Sequence, residues 1–152
     1  MIVTFDTSIL VRATTSSKGP ARRVLDAVAG GSGHTIALSP FILGEVGKVL
    51  SYPRMQGLFG LSAEQIHGYV NYLRRISRIV EPVVGLPVVL LDPNDDAIVY
   101  TAVAAGADVL CVKDKHFRDP SVLRFCERED VRVPDDVELL DMLASAEVKL
   151  RQ

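Results

Sequence analysis

Apolar residues occur in two spacings along this chain. Residues 2–5, 34–38 and 109–112 are short and nearly unbroken apolar runs, which are typical of buried strands. The segments between them repeat their apolar positions every three or four residues, as amphipathic helices do. This alternation favours βαβ units. We therefore predict an α/β fold with a mainly parallel central sheet flanked by helices.

Capping residues locate several of the helix ends. Ser39 before Pro40 is typical of a helix start, and Ser62 with Gln65 forms a capping box. Gly106 suits the left-handed residue that closes a helix. We predict helices at 20–29, 40–50, from 62 onward, at 92–105 and from 135 onward. Residues 88–91 are predicted as a short strand or extended connector, 131–133 as the last strand and 30–33 as a turn.

Length and composition are those of a small globular protein. The 152 residues suit one domain, 1–152, that is large enough to bury a core. No apolar run reaches the length of a membrane span, and the opening residues form a strand rather than a signal peptide. Cys111 and Cys126 are too few for a disulfide framework and are interpreted as buried thiols. We expect a cytoplasmic protein without a membrane segment.

Four carboxylates stand where acids are unfavourable. Asp6 and Asp114 each end an apolar run, while Glu45 and Asp96 fall near the apolar faces of two predicted helices. Desolvating a charge costs several kcal/mol unless a partner offsets that cost. Ligands of parallel α/β sheets bind beyond the carboxyl ends of the strands, where Asp6 and Asp114 are predicted to converge. A divalent cation would supply the missing counter-charge.

Each acid also has a plainer interpretation. Asp6 could start a turn, Asp114 could lie in a solvated charged turn, and Glu45 could be a surface residue beside Phe41 and Val49. Asp92 and Asp95 suit a helix N-terminus, where the helix dipole favours acids. Asp96 is preferred to Asp95 as a site residue because Val99 and Tyr100 follow it by one helical turn.

The remaining residue types narrow the chemistry. The three histidines are scattered, and the chain has neither a Gly-x-Ser-x-Gly elbow nor a P-loop. Oxygen ligands alone suit Mg²⁺ or Mn²⁺. The formal net charge is −2, and the four acids account for −4 of it, so the rest of the chain carries +2. That balance permits a phosphate-bearing substrate.

Several cations could contact such a substrate, although each could equally be a solvated surface residue. The candidates are Lys18, Arg22, Arg23, Arg54, Lys113, Lys115 and Arg118. Arg74, Arg75 and Arg78 form a further basic cluster on a predicted helix, suited to backbone phosphate or to an acidic partner peptide.

Three segments together resemble one known family. They are Asp6-Thr7-Ser8-Ile9-Leu10-Val11, the helix from Ser39-Pro40 through Glu45, and Asp92-Pro93-Asn94-Asp95-Asp96 followed by Ala104-Ala105-Gly106-Ala107-Asp108 and Val112-Lys113-Asp114-Lys115-His116-Phe117. In this order they resemble the PIN-domain nucleases, in particular the VapC-like toxins that act in toxin–antitoxin pairs. The resemblance runs over most of the chain.

The resemblance implies a single PIN-like domain that hydrolyses RNA phosphodiester bonds with Mg²⁺ or Mn²⁺, one ion or two. It carries over Asp6, Glu45, Asp96 and Asp114 as catalytic residues, of which Asp6, Asp96 and Asp114 would bind metal and Glu45 would orient the attacking water or hold a second ion. Ser8 matches a small polar residue that supports the cluster. Lys18, Arg22, Lys113 and Lys115 are the expected RNA-binding residues. A cognate antitoxin, and in some members a homodimer, is implied.

Two residues depart from the family pattern. Lys113 stands where many members have glycine, and His116 stands where they have a further acid, for which Asp119 is a substitute at different spacing. His116 could bind metal, contact phosphate or do neither. Two alternatives therefore stay open: a non-catalytic PIN-fold module that binds metal or nucleic acid, and another Mg²⁺-dependent phosphohydrolase.

Overall fold

A four-stranded parallel sheet forms the centre of the protein. The computed structural model describes residues 1–31 and 33–152, so Ser32 of the predicted 30–33 turn lies outside the described residues. The strands are β1 (Ile2–Phe5), β2 (Thr35–Leu38), β3 (Ser77–Ile79) and β4 (Val109–Cys111), and they lie in the order β3-β2-β1-β4. Every pairing is parallel, which confirms the predicted α/β class.

Eight α-helices within the described residues surround this sheet. They are α1 (Thr7–Thr15), α2 (Pro20–Gly30), α3 (Pro40–Leu50), α4 (Pro53–Phe59), α5 (Ala63–Ile76), α6 (Asp96–Ala105), α7 (Pro120–Arg128) and α8 (Asp136–Arg151). Two 3-10 turns, Pro93–Asp95 and Lys115–Arg118, precede α6 and α7. None of the helices in the described part of the chain is long and apolar enough to cross a membrane.

The predicted capping residues stabilise the helix ends. Ser39 accepts a hydrogen bond from the Ile42 amide, and the Ser62–Gln65 capping box is complete. Gly106 closes α6 at a φ of 61°, a left-handed conformation that glycine adopts without strain. The helices therefore begin and end close to the predicted positions.

The core is continuous across both central strands. Val3 and Phe5 of β1 and all three residues of β4 are buried, and helices cover the sheet. Asp6 follows β1 directly, and its amide donates to the Cys111 carbonyl at 3.0 Å. The ends of β1 and β4 are thus side by side, as expected if Asp6 and Asp114 are to lie close together.

Several segments differ from the sequence-based prediction, which also did not include α4 and α7. Helix α1 starts immediately after Asp6, where only a turn was considered, and β3 continues directly from α5. Residues 88–91 form no strand, because the amides of Val88 and Val89 donate to the Asp96 carboxylate instead of to a neighbouring strand. Residues 131–133 contribute a single parallel bridge, between Arg132 and Val109.

Candidate active site

An acid-lined cleft of about 470 Å³ opens beyond the carboxyl ends of β1 and β4. Four of its lining residues are carboxylates from separate elements: Asp6, Glu45, Asp95 and Asp114. The other lining residues are Thr7, Ser8, Val11, Arg12, Thr15, Val49, Met55, Phe59, Ile98 and Phe117. The fold therefore gathers acids that are up to 108 positions apart in sequence.

Asp6 forms the buried floor of the cleft. Its side chain is 1% exposed and caps α1, with Oδ1 accepting hydrogen bonds from the Ile9 amide at 2.8 Å and the Ser8 hydroxyl at 3.0 Å. Oδ2 accepts from the Lys113 amide at 3.0 Å. A carboxylate offers about four lone-pair positions, and Oδ2, with one hydrogen bond, is the less occupied of the two oxygens. Ser8 thus has the supporting place that the sequence suggested.

Burial raises the pKa of Asp6, and the hydrogen bonds from Ile9, Lys113 and Ser8 partly offset that effect. The result is an acid whose negative charge is held in place by donors but is not fully compensated by them. A cation in the cleft would favour the ionised form further.

Asp114 lies at the rim of the same cleft, with a side chain that is 41% exposed. Its Oδ1 accepts from the His116 amide at 2.9 Å and starts the 3-10 turn that follows. The His116 Nδ1 atom lies 3.3 Å from the same oxygen, in a geometry that makes no hydrogen bond. The second carboxylate oxygen of Asp114 has no protein hydrogen-bond donor among the described residues.

The third acid of the cleft is Asp95 rather than Asp96. The Asp96 side chain is 6% exposed, and its Oδ1 accepts from the amides of Val88 at 3.1 Å and Val89 at 2.7 Å. It holds the irregular 88–89 segment against the fold and is not among the residues that line the cleft. Asp95 ends the preceding 3-10 turn, one residue earlier, and this difference in backbone direction turns its carboxylate into the cleft.

Burial and neighbouring acids together raise the pKa of Asp95. Burial, followed by the nearby charges of Asp92, Asp114 and Asp6, raises the pKa of Asp95 to about 7, while His116 acts in the opposite direction. Ligand atoms of Asp92, Asp95 and His116 also lie within 4.8 Å of one another. Asp92 caps the 3-10 turn through the Asn94 amide, so one of its oxygens is already engaged.

These residues fit a hard divalent cation. Among the described residues, the ligand atoms close enough together to share an ion are those of Asp92, Asp95 and His116. The other cleft carboxylates, on Asp6, Glu45 and Asp114, add oxygen donors of the kind that suits Mg²⁺ or Mn²⁺. The raised pKa of Asp95 reflects its burial first and, after burial, an excess of negative charge from Asp92, Asp114 and Asp6. A cation at Asp6, Asp95 and Asp114 would neutralise that excess.

Glu45 closes the cleft from α3. It is half-buried, and its Oε1 lies 4.0 Å from the Lys48 ammonium, a long and exposed contact. Val49, Met55 and Phe59 continue the same wall with apolar side chains from α3 and α4. The wall formed by α3 and α4 is therefore apolar apart from Glu45.

The expected RNA-binding cations lie outside the residues that line the cleft. Arg22 pairs with Asp26 at 3.0 Å, and Lys113 pairs with Asp136 at 3.1 Å. Lys18 and Lys115 are exposed at other positions. Arg12 is the cation that does line the cleft, and the helical period of α1 would have indicated it had that helix been predicted, since it follows Ser8 by four residues.

Asp119, which we considered as a substitute for a missing family acid, has a different place. Its Oδ1 accepts from the Ser121 amide and hydroxyl at 3.0 and 2.8 Å and so caps α7. These hydrogen bonds lower its pKa. Asp119 does not line the cleft and serves as the N-cap of α7.

Comparisons with known proteins give the family and the fold that this chain resembles. The family model described as PIN domain matches residues 2–116. A search of curated proteins found no match to the chain. A chain in the crystal structure of VapBC2 from Rickettsia felis, bound to a DNA fragment from their promoter, has a similar fold: the TM-score is 0.59, with 18% sequence identity over 89% of this chain and 98% of that chain.

The matched region contains all four strands and the acids of the cleft. It covers more than half of the 152 residues and ends at His116, two residues after Asp114. At 18% identity the likeness to VapBC2 shows a common fold. By the family match, this chain belongs to the PIN-domain family.

Proposed function

We propose that this protein is a metal-dependent ribonuclease that hydrolyses RNA phosphodiester bonds. The observation that carries the proposal is the convergence of Asp6, Glu45, Asp95 and Asp114 on one cleft at the carboxyl edge of the sheet. Membership of a family of nucleases supports it. The apolar side chains of Val49, Met55 and Phe59 in the same cleft would accept the ribose and base of a nucleotide, which anionic groups alone would not.

Asp6, Asp95 and Asp114 are the residues we assign to a Mg²⁺ or Mn²⁺ ion. Asp95 takes the place that Asp96 has in the sequence-based hypothesis, because the Asp96 carboxylate is engaged by two backbone amides. A divalent cation there would offset the charge of the phosphodiester, lower the pKa of a water molecule and stabilise the leaving oxygen. His116 and Asp92 lie beside Asp95 and are available to a second ion.

The chain's own residues would do the rest. Glu45, half-buried and held only by a long contact to Lys48, is free to orient the attacking water and accept its proton. Ser8 donates to Asp6 Oδ1 and keeps that carboxylate turned into the cleft. Arg12 extends from the next turn of α1 and supplies a guanidinium for the substrate phosphate.

We further propose that the protein acts in the cytoplasm as the toxin of a toxin–antitoxin pair. The similarity of its fold to the VapBC2 structure and its PIN-domain membership support this role. The cognate antitoxin would then be its protein partner. It would act by covering the cleft or by displacing one of the acids.

RNA cleavage by the purified chain tests the activity. We expect cleavage of single-stranded RNA with Mg²⁺ or Mn²⁺, none with EDTA, and loss of product with Asp6→Asn, Asp95→Asn and Asp114→Asn. Asp96→Asn should retain metal-dependent cleavage, because both of its hydrogen bonds use one oxygen that asparagine also offers. Asp130→Asn is the matched control, since Asp130 lies outside the cleft at a φ of 57°, which asparagine tolerates.

Three outcomes would change the proposal. Metal binding without cleavage of diverse RNAs would favour a non-catalytic binding module, and preference for small phosphomonoesters would favour another phosphohydrolase. Cleavage that is lost in Asp6→Asn and Asp96→Asn but survives Asp95→Asn would return the site to the sequence-based set.

A further inference from the structure

Lys113 joins the candidate site to a distant helix. Its amide donates to Asp6 Oδ2 at 3.0 Å, while its ammonium lies 3.1 Å from Asp136 Oδ1, in the first turn of α8. The Lys113 side chain is 33% exposed, and that of Asp136 is completely buried. A cation expected at the RNA surface therefore pairs its ammonium with a buried acid, although its own side chain stays partly exposed.

Asp136 is an unusual residue for a protein interior. Its Oδ1 accepts from Lys113 and from the Val137 amide, and its Oδ2 is buried without a hydrogen-bond partner in the described structure. An isolated buried carboxylate is strongly unfavourable, so the lysine is required to offset its charge. Asp136 is therefore poorly accommodated without Lys113, whereas the partly exposed lysine could turn to water.

Two further contacts join the same segments. The Val112 amide donates to the Pro134 carbonyl at 2.9 Å, and Arg118 pairs with Glu138 at 2.6 Å. Glu138 also accepts from the Asp135 amide in the capping box of α8. The segment from Val112 to Arg118, which carries Asp114 and His116, is thus attached at both ends to the start of α8.

We propose that the Lys113–Asp136 ion pair is a positioning device that holds the Asp114 loop, residues 113–118, in register with Asp6. The argument is geometric: Lys113 lies between the two acids, with its backbone fixed by Asp6 and its side chain fixed by Asp136. Lys113 is then a positioning residue and not a contact for RNA. This inference rests on the function proposed above for the cleft.

Amide hydrogen exchange tests the attachment without metal or substrate. In Asp136→Asn the amides of residues 112–118 should exchange about tenfold faster than in the native chain, while those of β1 and β2 are unchanged. The matched control is Asp141→Asn, the same chemical change at an exposed residue of α8. Asp136→Asn is preferred to removal of Lys113 because the half-exposed lysine can turn to water, whereas a lone Asp136 would stay buried.

A double-mutant cycle with Lys113→Met separates positioning from RNA contact. If the pair positions the loop, Asp136→Asn, Lys113→Met and the double variant should weaken Mn²⁺ binding by a similar factor, about 10-fold. In RNA cleavage kcat should fall while KM stays within about twofold. The double variant leaves no unpaired buried charge, so it also controls for simple loss of folding.

Several results would overturn the proposal. One is an Asp136→Asn variant whose amides at residues 112–118 exchange as slowly as in the native chain. Another is a raised KM for RNA in both Lys113→Met and the double variant, which would show that Lys113 contacts RNA. If the native chain neither binds Mn²⁺ nor cleaves RNA, the proposed function fails, while hydrogen exchange still decides whether the pair holds the loop.

Discussion

Asp6 and Asp95 are two acids of one cleft held in opposite ways. Asp6 accepts three hydrogen bonds, caps α1 and joins β1 to the segment after β4. The Asp95 carboxylate accepts no hydrogen bond from the described residues and faces Asp92, Asp114 and Asp6. Both have a raised pKa, chiefly through burial, but hydrogen bonds oppose the shift at Asp6, whereas neighbouring charges increase it at Asp95.

The difference shows that Asp6 has a role in the fold as well as a place in the cleft, whereas Asp95 has no comparable structural role. Asp6 contributes to folding and to the cleft alike, so selection for stability alone could retain it. Asp95 is a cost to the folded protein at neutral pH, because burial and then the neighbouring acids disfavour its charged form. A residue that destabilises the fold and faces a cleft is a candidate for function.

The largest effect on stability should come from Asp6→Ala. The change removes the cap of α1 and leaves the amides of Ile9 and Lys113 without their acceptor. A lost cap costs about 1 kcal/mol, and each buried orphan donor costs about 1–3 kcal/mol. We expect urea denaturation to give a free energy of unfolding lower by about 3 kcal/mol. A loss below about 0.5 kcal/mol would contradict the structural role of Asp6.

Metal binding should have the next largest effect and distinguishes Asp95 from Asp96. Mn²⁺ at about 100 times its Kd should stabilise the native chain by about 2.7 kcal/mol, measured by thermal unfolding with and without EDTA. Asp95→Asn should abolish most of that stabilisation. Asp96→Asn should keep it, since both amides bonded to Asp96 use one oxygen. The reverse ranking would place the metal on Asp96.

The sequence was sufficient for three of the four cleft acids to be chosen. Asp6 and Asp114 follow apolar strands, and parallel strands bring such ends together, while Glu45 follows from the apolar border of α3. All three lie in the cleft. Their roles in catalysis and metal binding stay predictions, but their convergence is a matter of sheet topology, which the alternation of elements made predictable.

The choice between Asp95 and Asp96 could not be made from periodicity. Helical spacing correctly indicates that Asp96 faces inward, but the interior on that side is the irregular 88–89 segment, whose free amides need an acceptor. A segment without regular hydrogen bonds leaves no pattern in the sequence. Arg12 was missed for a different reason. The Ile9-Leu10-Val11 run does not show a helical period, so α1, which carries Arg12, was not predicted.

Asp95→Asn should make the metal-free protein more stable at neutral pH. The pKa of Asp95 is about 7 when folded and near 4 when unfolded. Between these values the folded state holds a proton that the unfolded state releases, so the free energy of unfolding falls as pH rises from about 4 to 7. This contribution is absent from the variant.

The measurement is urea denaturation in EDTA at pH 4, 6 and 8. The difference in stability between Asp95→Asn and the native chain should be near zero at pH 4 and should favour the variant progressively up to pH 8. A constant difference across this range would show that Asp95 does not titrate between the two states. Asp130→Asn provides the control for an acid outside the cleft.

The smallest effect on stability is expected at Glu45, which is neither held like Asp6 nor crowded like Asp95. Its ion-pair partner, Lys48, lies at 4.0 Å with a side chain that is 63% exposed, and such pairs contribute about 0.5 kcal/mol or less. Glu45→Gln should therefore change the free energy of unfolding by no more than about 0.5 kcal/mol while abolishing RNA cleavage. Because Glu45 is assigned to the attacking water and not to the first ion, Mn²⁺ should still stabilise this variant. A variant that folds, binds Mn²⁺ and does not cleave would separate the proton-accepting residue from the metal ligands, whereas full activity in Glu45→Gln would remove Glu45 from the proposed mechanism.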